Sequence, residues 1–297
     1  MDEHSALLPL IDFVPVNDIQ AMVNKVEHWV CNDAARRARS DELRNKCADM
    51  PDIFSYYFLR LFLAHDLITY DDFYQAVGDV IQFDTDMICL GLPETTVRKS
   101  DFEKDNYYGI QYIPGLRHRL GWVGCGLSYK FLINRAKDLK FRQITICEDD
   151  VLLPDDFIIR FNNIKKYLSK KDDWDIFAGL IADLHDDVKI LNVEDIENET
   201  YVSIDKMVSM VTNIYSDRFY DKLLAWDSRN HDAQTNTIDR FIEQHESVHA
   251  IVTSRYLVGH KEDLNSTLWG FSNITYKELI RNSEDKLQGK IADYIAN

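Results

Sequence analysis

The composition and charge of the chain narrow the classes of protein to which it can belong. The chain has 297 residues, and 50 Asp and Glu residues against 34 Lys and Arg residues give a formal net charge of -16. This charge disfavours nucleic acid and anionic membrane surfaces as partners. No apolar run reaches the length of about 20 residues that spans a bilayer, and Met1–His4 lacks the basic start of a secretory signal. We therefore expect a cytoplasmic protein without a transmembrane segment, built as one large α/β domain or two smaller ones.

The cysteines carry no recognisable metal-binding or disulfide pattern. They are odd in number and widely spaced, at Cys31, Cys47, Cys89, Cys125 and Cys147. No two of them stand in a CxxC pair, so the spacing favours neither a zinc site nor a disulfide framework. We predict reduced thiols that are mostly buried.

A helical pattern runs from the start of the chain to about residue 84. The segment Ile19–Val30 places its apolar residues on one face and follows Asn17 and Asp18, either of which can cap a helix. A broad stripe of aromatic and aliphatic residues in Asp52–His65 is typical of a hydrophobic core. We predict a small all-helical accessory unit over residues 1–84.

From residue 85 to residue 297 the pattern changes to short apolar runs separated by turn residues, which is typical of an α/β domain. The polar segment Asp186–Glu199 is expected to be an exposed excursion. The predicted strands are Met87–Leu92, Ile144–Cys147, Trp174–Leu180, Lys206–Tyr215 and Ala250–Ser254. The predicted helices are Tyr129–Leu139, Asp155–Leu168, Ser216–Trp226, Thr237–Glu246 and Thr275–Ile295.

The most informative stretch is the strand that starts at Ile144 and runs into the three carboxylates Glu148, Asp149 and Asp150. Open α/β sheets bind their ligands at the carboxyl ends of buried strands. Three adjacent carboxylates repel one another, by about 1 kcal/mol for each pair at 4 Å in water and by more in a cleft. A bound cation would neutralise them, although a solvated acidic turn is the alternative interpretation.

Two further polar motifs accompany this strand. Arg98 and Lys99 stand in a polar loop after the first strand, where a pyrophosphate can bind, although a pair of surface basic residues is the more common explanation of such a pattern. Gly121, Gly124 and Gly126 lie in a predicted turn before a helix, whose amide groups favour anions. The chain lacks both the phosphate-binding loop motif and the full dinucleotide fingerprint.

The order of these motifs resembles that of the lipooligosaccharide-type glycosyltransferases of family 25. In that family a Gly-Cys-x-x-Ser segment precedes a Glu-Asp-Asp-Val strand end, as Gly124–Ser128 precedes Glu148–Val151 here. The resemblance extends from about Met87 to Trp269. The chain departs from the family at Tyr129, where the family has His, and in Lys206–Tyr215, where the family has a Gly-Thr-rich strand.

The resemblance implies a GT-A-like nucleotide-binding sheet flanked by helices, here preceded by the helical unit. It implies transfer of a galactose-like hexose from a nucleotide-sugar donor, most often a UDP-sugar, with Mn²⁺ or Mg²⁺ as cofactor. Oxygen ligands suit both ions. The candidate metal ligands are Asp150, Glu148 and His260. The candidate donor-binding residues are Arg98, Gly124, Ser128, Glu148, Asp149 and Ser266.

An inverting transfer, which the resemblance suggests, needs a carboxylate that takes the proton of the acceptor hydroxyl. Asp239 is the first candidate because it matches a family position, and Asp183 is the second. Each is also explained as a helix cap or surface acid, and His260 as a structural residue. The expected acceptor is a glycan of lipooligosaccharide, capsule or O-antigen, which can lie at a membrane surface. A non-catalytic GT-A-like partner domain and a metal-dependent phosphohydrolase or nucleotidyltransferase remain alternatives.

Overall fold

The computed structural model describes residues 18–47, 53–245, 248–268 and 270–296, with the side chains of residues 43–47 excepted. Residues 1–17 and 48–52 and Trp269, which the predictions above include, lie outside the described residues. The chain divides into two compact units, Met1–Tyr57 and Phe58–Asn297. All the predicted site residues belong to the second unit.

The first unit contains helices α1 (Ile19–Cys31) and α2 (Asp33–Cys47) and the beginning of α3 (Ile53–Ala64). Helix α1 starts where the sequence predicts, because the side chain of Asp18 accepts a hydrogen bond from the amide of Ala21. Its apolar residues are exposed, and so are Phe58 and Leu61 in the stripe of α3 that was expected to be core. Helical spacing predicts a shared face, but it does not determine whether that face is covered.

The second unit is an α/β structure around a mixed eight-stranded sheet with the strand order β2-β1-β3-β8-β5-β9-β7-β6. Strands β1, β2 and β3 run parallel, and β8 runs antiparallel between β3 and β5. The strands are β1 (Met87–Gly91), β2 (Gln111–Pro114), β3 (Gln143–Glu148), β5 (Ile176–Ala178), β6 (Ile190–Ile196), β7 (Glu199–Ile204), β8 (Thr212–Ser216) and β9 (Ala250–Thr253). A separate pair is formed by β4 (Val151–Leu152) and β10 (Gly259–His260).

Helices flank the sheet and follow the alternating pattern of the sequence. They are α4 (Tyr70–Val77), α5 (Thr96–Asp105), α6 (Gly121–Asp138), α7 (Phe157–Leu168), α8 (Asp217–Leu224), α9 (Ile238–Gln244) and α10 (Ile274–Ala296). Helix α4 begins with a capping box in which Thr69 and Asp72 satisfy each other's backbone amides. The predicted helices after residue 150 are confirmed, with their ends shifted by a few residues.

Residues 58–84, which the sequence analysis places in the helical unit, group with the sheet instead. The ring of Phe73 on α4 lies 6.1 Å from the ring of Phe131 on α6. The hydroxyl of Tyr74 donates a 2.6 Å hydrogen bond to Asp138 at the end of α6. The division between the units therefore falls within α3, at residue 57, and not at residue 84.

Four local predictions differ from the structure. Arg98 lies in helix α5 and not in a loop, and Gly121–Ser128 is already helical and not a turn. The polar segment Asp186–Glu199 is not an excursion, because half of it forms β6 at the exposed edge of the sheet, where only one side of the strand is paired. The strand predicted over Lys206–Tyr215 starts only at β8, and the short strand β2 was not predicted. Among the cysteines, Cys89 and Cys147 are buried as expected, whereas Cys31 is exposed.

The glycines of α6 are explained by close packing. A Cβ atom at Gly124 would lie 2.9 Å from the backbone nitrogen of His118, and one at Gly126 would overlap the indole ring of the buried Trp226. That ring cannot move freely, because its Nε1 donates a 2.9 Å hydrogen bond to the carbonyl of Asn236. These glycines serve the contact of α6 with its neighbours.

Opposite effects are expected for two glycine-to-alanine changes in helices. Gly126→Ala should lower the free energy of unfolding by about 1–3 kcal/mol, because the added methyl group overpacks the contact with Trp226. Gly289→Ala is the matched control in α10, with nothing within 4 Å of the added atom, and should raise that free energy by about 0.5–1 kcal/mol through helix propensity. Urea unfolding measures both changes, and a stabilising Gly126→Ala would contradict the packing described here.

Candidate functional site

A cleft of about 450 Å³ opens at the edge of the sheet where β1, β2 and β3 end. Its volume lies within the range of small-molecule sites. The segments that follow the three strands line it, together with α9, the start of α6 and the segment before α10. The cleft therefore stands where ligands bind in open α/β sheets.

The three carboxylates reach the cleft because β3 ends at Glu148 and the chain then turns into β4. Strand β3 is paired on both sides, with β1 and with β8, so its apolar residues are buried. Gly91 on β1 makes room for Asp149, since a Cβ atom there would lie 2.7 Å from Asp149 Oδ2. All three carboxylates line the cleft, as the sequence predicts.

Arg98 pairs with both aspartates. From α5 its Nε donates a 2.8 Å hydrogen bond to Asp149 Oδ1, and its Nη2 lies 2.9 Å from Asp150 Oδ2. Its Nη1 donates a 2.7 Å hydrogen bond to the carbonyl of Asn265. The guanidinium was predicted to bind a pyrophosphate, but these contacts with the protein already occupy it.

Asp150 is the most strongly stabilised carboxylate of the group. Strand β10 pairs with β4, which brings His260 Nε2 to 3.3 Å from Asp150 Oδ2. The same oxygen accepts a 2.9 Å hydrogen bond from Asn273 Nδ2. Burial opposes ionisation, but the His260 contact, the charge of Arg98 and the Asn273 contact outweigh it and lower the pKa of Asp150 to about 2. Asp150 is therefore ionised at neutral pH.

Glu148 behaves in the opposite way. Burial raises its pKa to about 8, and the negative charges of Asp150 and Asp149 add to this rise, while Arg98 opposes it. At neutral pH Glu148 therefore carries a proton and can donate a hydrogen bond to a ligand. A metal ligand has to be deprotonated, so a metal ion bound by Glu148 would have to displace this proton.

The raised pKa predicts how stability depends on pH. Between the ordinary pKa of 4.5 and the folded value of about 8, the folded chain keeps a proton that the unfolded chain loses. Glu148 therefore makes the free energy of unfolding fall as pH rises through this window, and Glu148→Gln should flatten that dependence. Urea unfolding at several pH values in EDTA tests this, with the exposed Glu278→Gln as control. Parallel curves for Glu148→Gln and the unaltered chain would contradict the assignment.

The Gly-Cys-x-x-Ser segment supports the wall of the cleft. Ser128 is buried, and its Oγ accepts a 2.7 Å hydrogen bond from the amide of Leu116 and donates one of 2.7 Å to the carbonyl of Gly124. Gly124 packs against the same loop and does not itself line the cleft. Tyr129, which replaces the family's His, is buried and donates to the carbonyl of Met210. These predicted binding residues fix the loop after β2.

The structure separates the two candidate bases. Asp239 lies in the first turn of α9 and lines the cleft that contains Glu148 and Asp150. Asp183 does not line it and instead pairs with His185 at 3.1 Å and with Arg240 at 3.5 Å. His185 in turn lies 2.6 Å from Glu243. Asp183 is thus part of an ion-pair cluster beside the cleft.

Several lining residues were missed from the sequence. Ser266 lines the cleft as predicted, in a short segment closed by the bridge between Asn265 and Ser272. Asn273 and Arg117 line it as well, but they stand alone in polar stretches and no motif points to them. Only the fold brings them to the carboxylates.

The fit of a divalent cation depends on the oxygens that remain unpaired. Among the described residues, no group of three or more His, Cys, Asp or Glu side chains is arranged to hold a metal ion, so the predicted set of Asp150, Glu148 and His260 does not form a cage. Asp150 Oδ1 and Asp149 Oδ2 are buried and have no hydrogen-bond partner in the described part of the chain. A magnesium-type ion needs only one or two carboxylates when phosphates supply the other ligands. Asp150 and Asp149 fit that limited role.

No helix among the described residues has both the length and the apolar character needed to cross a lipid bilayer. The sequence matches no protein-family model and no curated protein.

Proposed function

We propose that the chain is a glycosyltransferase of the GT-A type that moves a galactose-like hexose from a UDP-sugar to a glycan acceptor, with inversion. The proposed setting is the cytoplasm, in the synthesis of lipooligosaccharide, capsule or O-antigen. The observation that supports this most is the meeting of Asp149 and Asp150 with Asp239 in one cleft at the carboxyl edge of the sheet. The resemblance of the motif order to family 25 supports it as well.

In this proposal each group has one task. Asp239 takes the proton of the acceptor hydroxyl, because it lies in the cleft at the start of a helix and apart from the Arg98 network. Asp150 and Asp149 would hold Mn²⁺ or Mg²⁺, which supplies positive charge to the leaving diphosphate. Glu148, protonated at neutral pH, donates a hydrogen bond to the donor. Ser266 lines the same cleft and completes the proposed donor site.

A donor screen tests the proposal. The chain is incubated with UDP-, GDP-, CMP- and TDP-sugars, with Mn²⁺ or with EDTA, and release of nucleotide is measured. Release from one sugar class, increased by a glycan acceptor, would support a transferase. Release that ignores the sugar would favour a phosphohydrolase, and pyrophosphate release from nucleoside triphosphates would favour a nucleotidyltransferase.

The two candidate bases are expected to differ strongly. Asp239→Asn should lower kcat by about 10²- to 10⁴-fold, the range typical for loss of a general base, with little change in donor affinity. Asp183→Asn is the control and should keep kcat within a few-fold, because Asp183 lies outside the cleft. If Asp183→Asn loses turnover while Asp239→Asn retains it, the two roles are exchanged.

A non-catalytic role is the second candidate, and the buried Tyr129 in place of the family's His favours it. A chain of this kind would bind UDP without turning over any donor. Calorimetric titration with UDP-sugars and Mn²⁺, combined with the donor screen, separates the two: heat of binding without turnover supports the non-catalytic role.

A further inference from the structure

We propose that Arg117, and not Arg98, is the side chain that binds the diphosphate of the nucleotide. The inference rests on the proposed function, because it assumes that the cleft holds a nucleoside diphosphate. Arg117 follows β2 and lines the cleft, but no motif in the sequence marks it.

The arginines that line the cleft within the described chain differ in the exposure of their side chains. The side chain of Arg98 is 10% exposed and is held by Asp149, Asp150 and the Asn265 carbonyl. That of Arg240 is 32% exposed and pairs with Glu243 and Asp183. That of Arg117 is 52% exposed. Arg117 therefore presents the most accessible guanidinium to a ligand.

The contact between Arg117 and Glu94 is long. Arg117 Nη1 lies 3.8 Å from Glu94 Oε1, which is longer than a hydrogen bond. Glu94 in turn is engaged by Arg60, whose Nη2 donates a 3.1 Å hydrogen bond to Glu94 Oε2 and whose Nη1 pairs with Oε1. The charge of Glu94 therefore attracts the guanidinium of Arg117, but Glu94 does not accept a hydrogen bond from it. A guanidinium in this state can give two parallel N–H bonds to phosphate oxygens.

Hydrogen bonds fix the backbone of the two residues that precede Arg117. The carbonyl of Gly115 accepts a 2.6 Å hydrogen bond from Nε of the buried Arg60, and its amide donates one of 2.8 Å to the carbonyl of Gly91. The next amide, that of Leu116, donates to Ser128 Oγ. The side chain of Arg117 is therefore carried by a rigid loop, which reduces the entropy lost on binding.

The histidines that line the cleft do not take this role. The side chain of His118 is 2% exposed, accepts from the amide of Leu120 and lies 3.2 Å from Asp66. His260 lies against Asp150 and Asn273. Both rings already have partners in the protein.

Calorimetric titration with UDP, UMP and uridine, once with Mn²⁺ and once with EDTA, tests the inference on the full chain. Arg117→Gln is expected to weaken UDP binding about 10- to 100-fold, UMP binding less and uridine binding not at all. Arg117→Lys keeps the charge but loses the two parallel N–H donors of the guanidinium. Its affinity for UDP should lie between that of Arg117→Gln and that of the unaltered chain. The matched control is Arg119→Gln, two positions along the same loop and outside the cleft, which should leave all three affinities within about twofold.

The outcomes distinguish the inference from the proposed function. If the unaltered chain binds UDP and Arg117→Gln binds it equally well, Arg117 is not the phosphate ligand and the inference is overturned, while the proposed function stands. Equal losses for UDP and uridine would also overturn it, since they would indicate a general change of the cleft. If the unaltered chain binds none of the three even in the presence of Mn²⁺, the proposed UDP-sugar function fails and the inference fails with it. Thermal unfolding of each variant shows whether the fold is intact.

Discussion

Asp150→Asn is expected to abolish sugar transfer and to lower the stability of the folded chain. Oδ2 of Asp150 is approached by the guanidinium of Arg98, by His260 Nε2 and by Asn273 Nδ2. An asparagine keeps the shape and one carbonyl acceptor but not the charge, so the ion pair with Arg98 is lost. Removing one member of a buried ion pair typically costs about 3–5 kcal/mol, and the retained Asp149–Arg98 contact should keep the loss at or below the lower end.

The pKa gives the pH range of this effect. Because the pKa of Asp150 is lowered in the folded state to about 2 from an ordinary 3.8, its contribution to stability is present above about pH 4 and is lost as pH falls toward 2. The difference in free energy of unfolding between the unaltered chain and Asp150→Asn should shrink over the same range. Turnover and urea unfolding at pH 7 and pH 3 measure the two parts of the prediction.

The exposed Asp155, a few residues further along the chain, provides the control. Asp155→Asn should leave turnover unchanged. It should change the free energy of unfolding by no more than about 0.5 kcal/mol, as is usual for surface positions. Full activity of Asp150→Asn would show that the acidic cluster does not serve the reaction. An unchanged stability would show that its ion-pair network contributes little to folding.

Removal of residues 1–84 is expected to prevent cooperative folding of the rest of the chain. Leu63, Phe73, Val77 and Ile81 are all buried, and they lie in the part of the chain that groups with the sheet. Burial of one such side chain contributes about 1.5–3 kcal/mol, so four of them match the total stability of about 5–15 kcal/mol of an ordinary domain. The loss of Arg60 would also leave the carbonyl of Gly115 without its partner.

The matched comparison is a chain that lacks residues 1–52 and keeps α3 and α4 whole. Near-ultraviolet circular dichroism and urea unfolding of both shortened chains measure the effect. We expect a cooperative transition for the longer chain and none for residues 85–297. A cooperative transition for both at the same urea concentration would show that residues 58–84 are an accessory, as the periodicity of the sequence first indicated.

The central strand of the site and the start of helix α1 could be predicted from the sequence because local chemistry determines them. Strand β3 is a β-branched apolar run that ends in carboxylates, and a strand of this kind has to be buried along its length and solvated at its end. Helix α1 begins at Asp18 because a side-chain oxygen replaces a missing backbone acceptor. Neither conclusion needs any knowledge of distant residues.

The remaining parts of the site depend on contacts that no local pattern contains. His260 reaches Asp150 only because β10 pairs with β4. Each of these strands has only two residues, which is too short to give a periodic pattern in the sequence. Strand β6 is half exposed at the sheet edge, so its polar residues look like a loop. Arg98 was predicted to lie in a loop after the first strand and to meet a pyrophosphate, and its pairing with the carboxylates could not be predicted, since a guanidinium satisfies a carboxylate and a phosphate equally well.

The late position of the partners of Asp150 has a consequence for the growing chain during translation. Asn273, which donates to Asp150, stands 123 positions further along the sequence, and the amide that bonds the Asp150 carbonyl belongs to Lys261. Of the partners of Asp150 only Arg98 precedes it in the chain, and one guanidinium does not balance the charges of Asp149 and Asp150. The two aspartates therefore remain solvated until the later partners have been synthesised. The acidic end of β3 is therefore completed only after residue 273 has been synthesised, so the cleft forms late during translation.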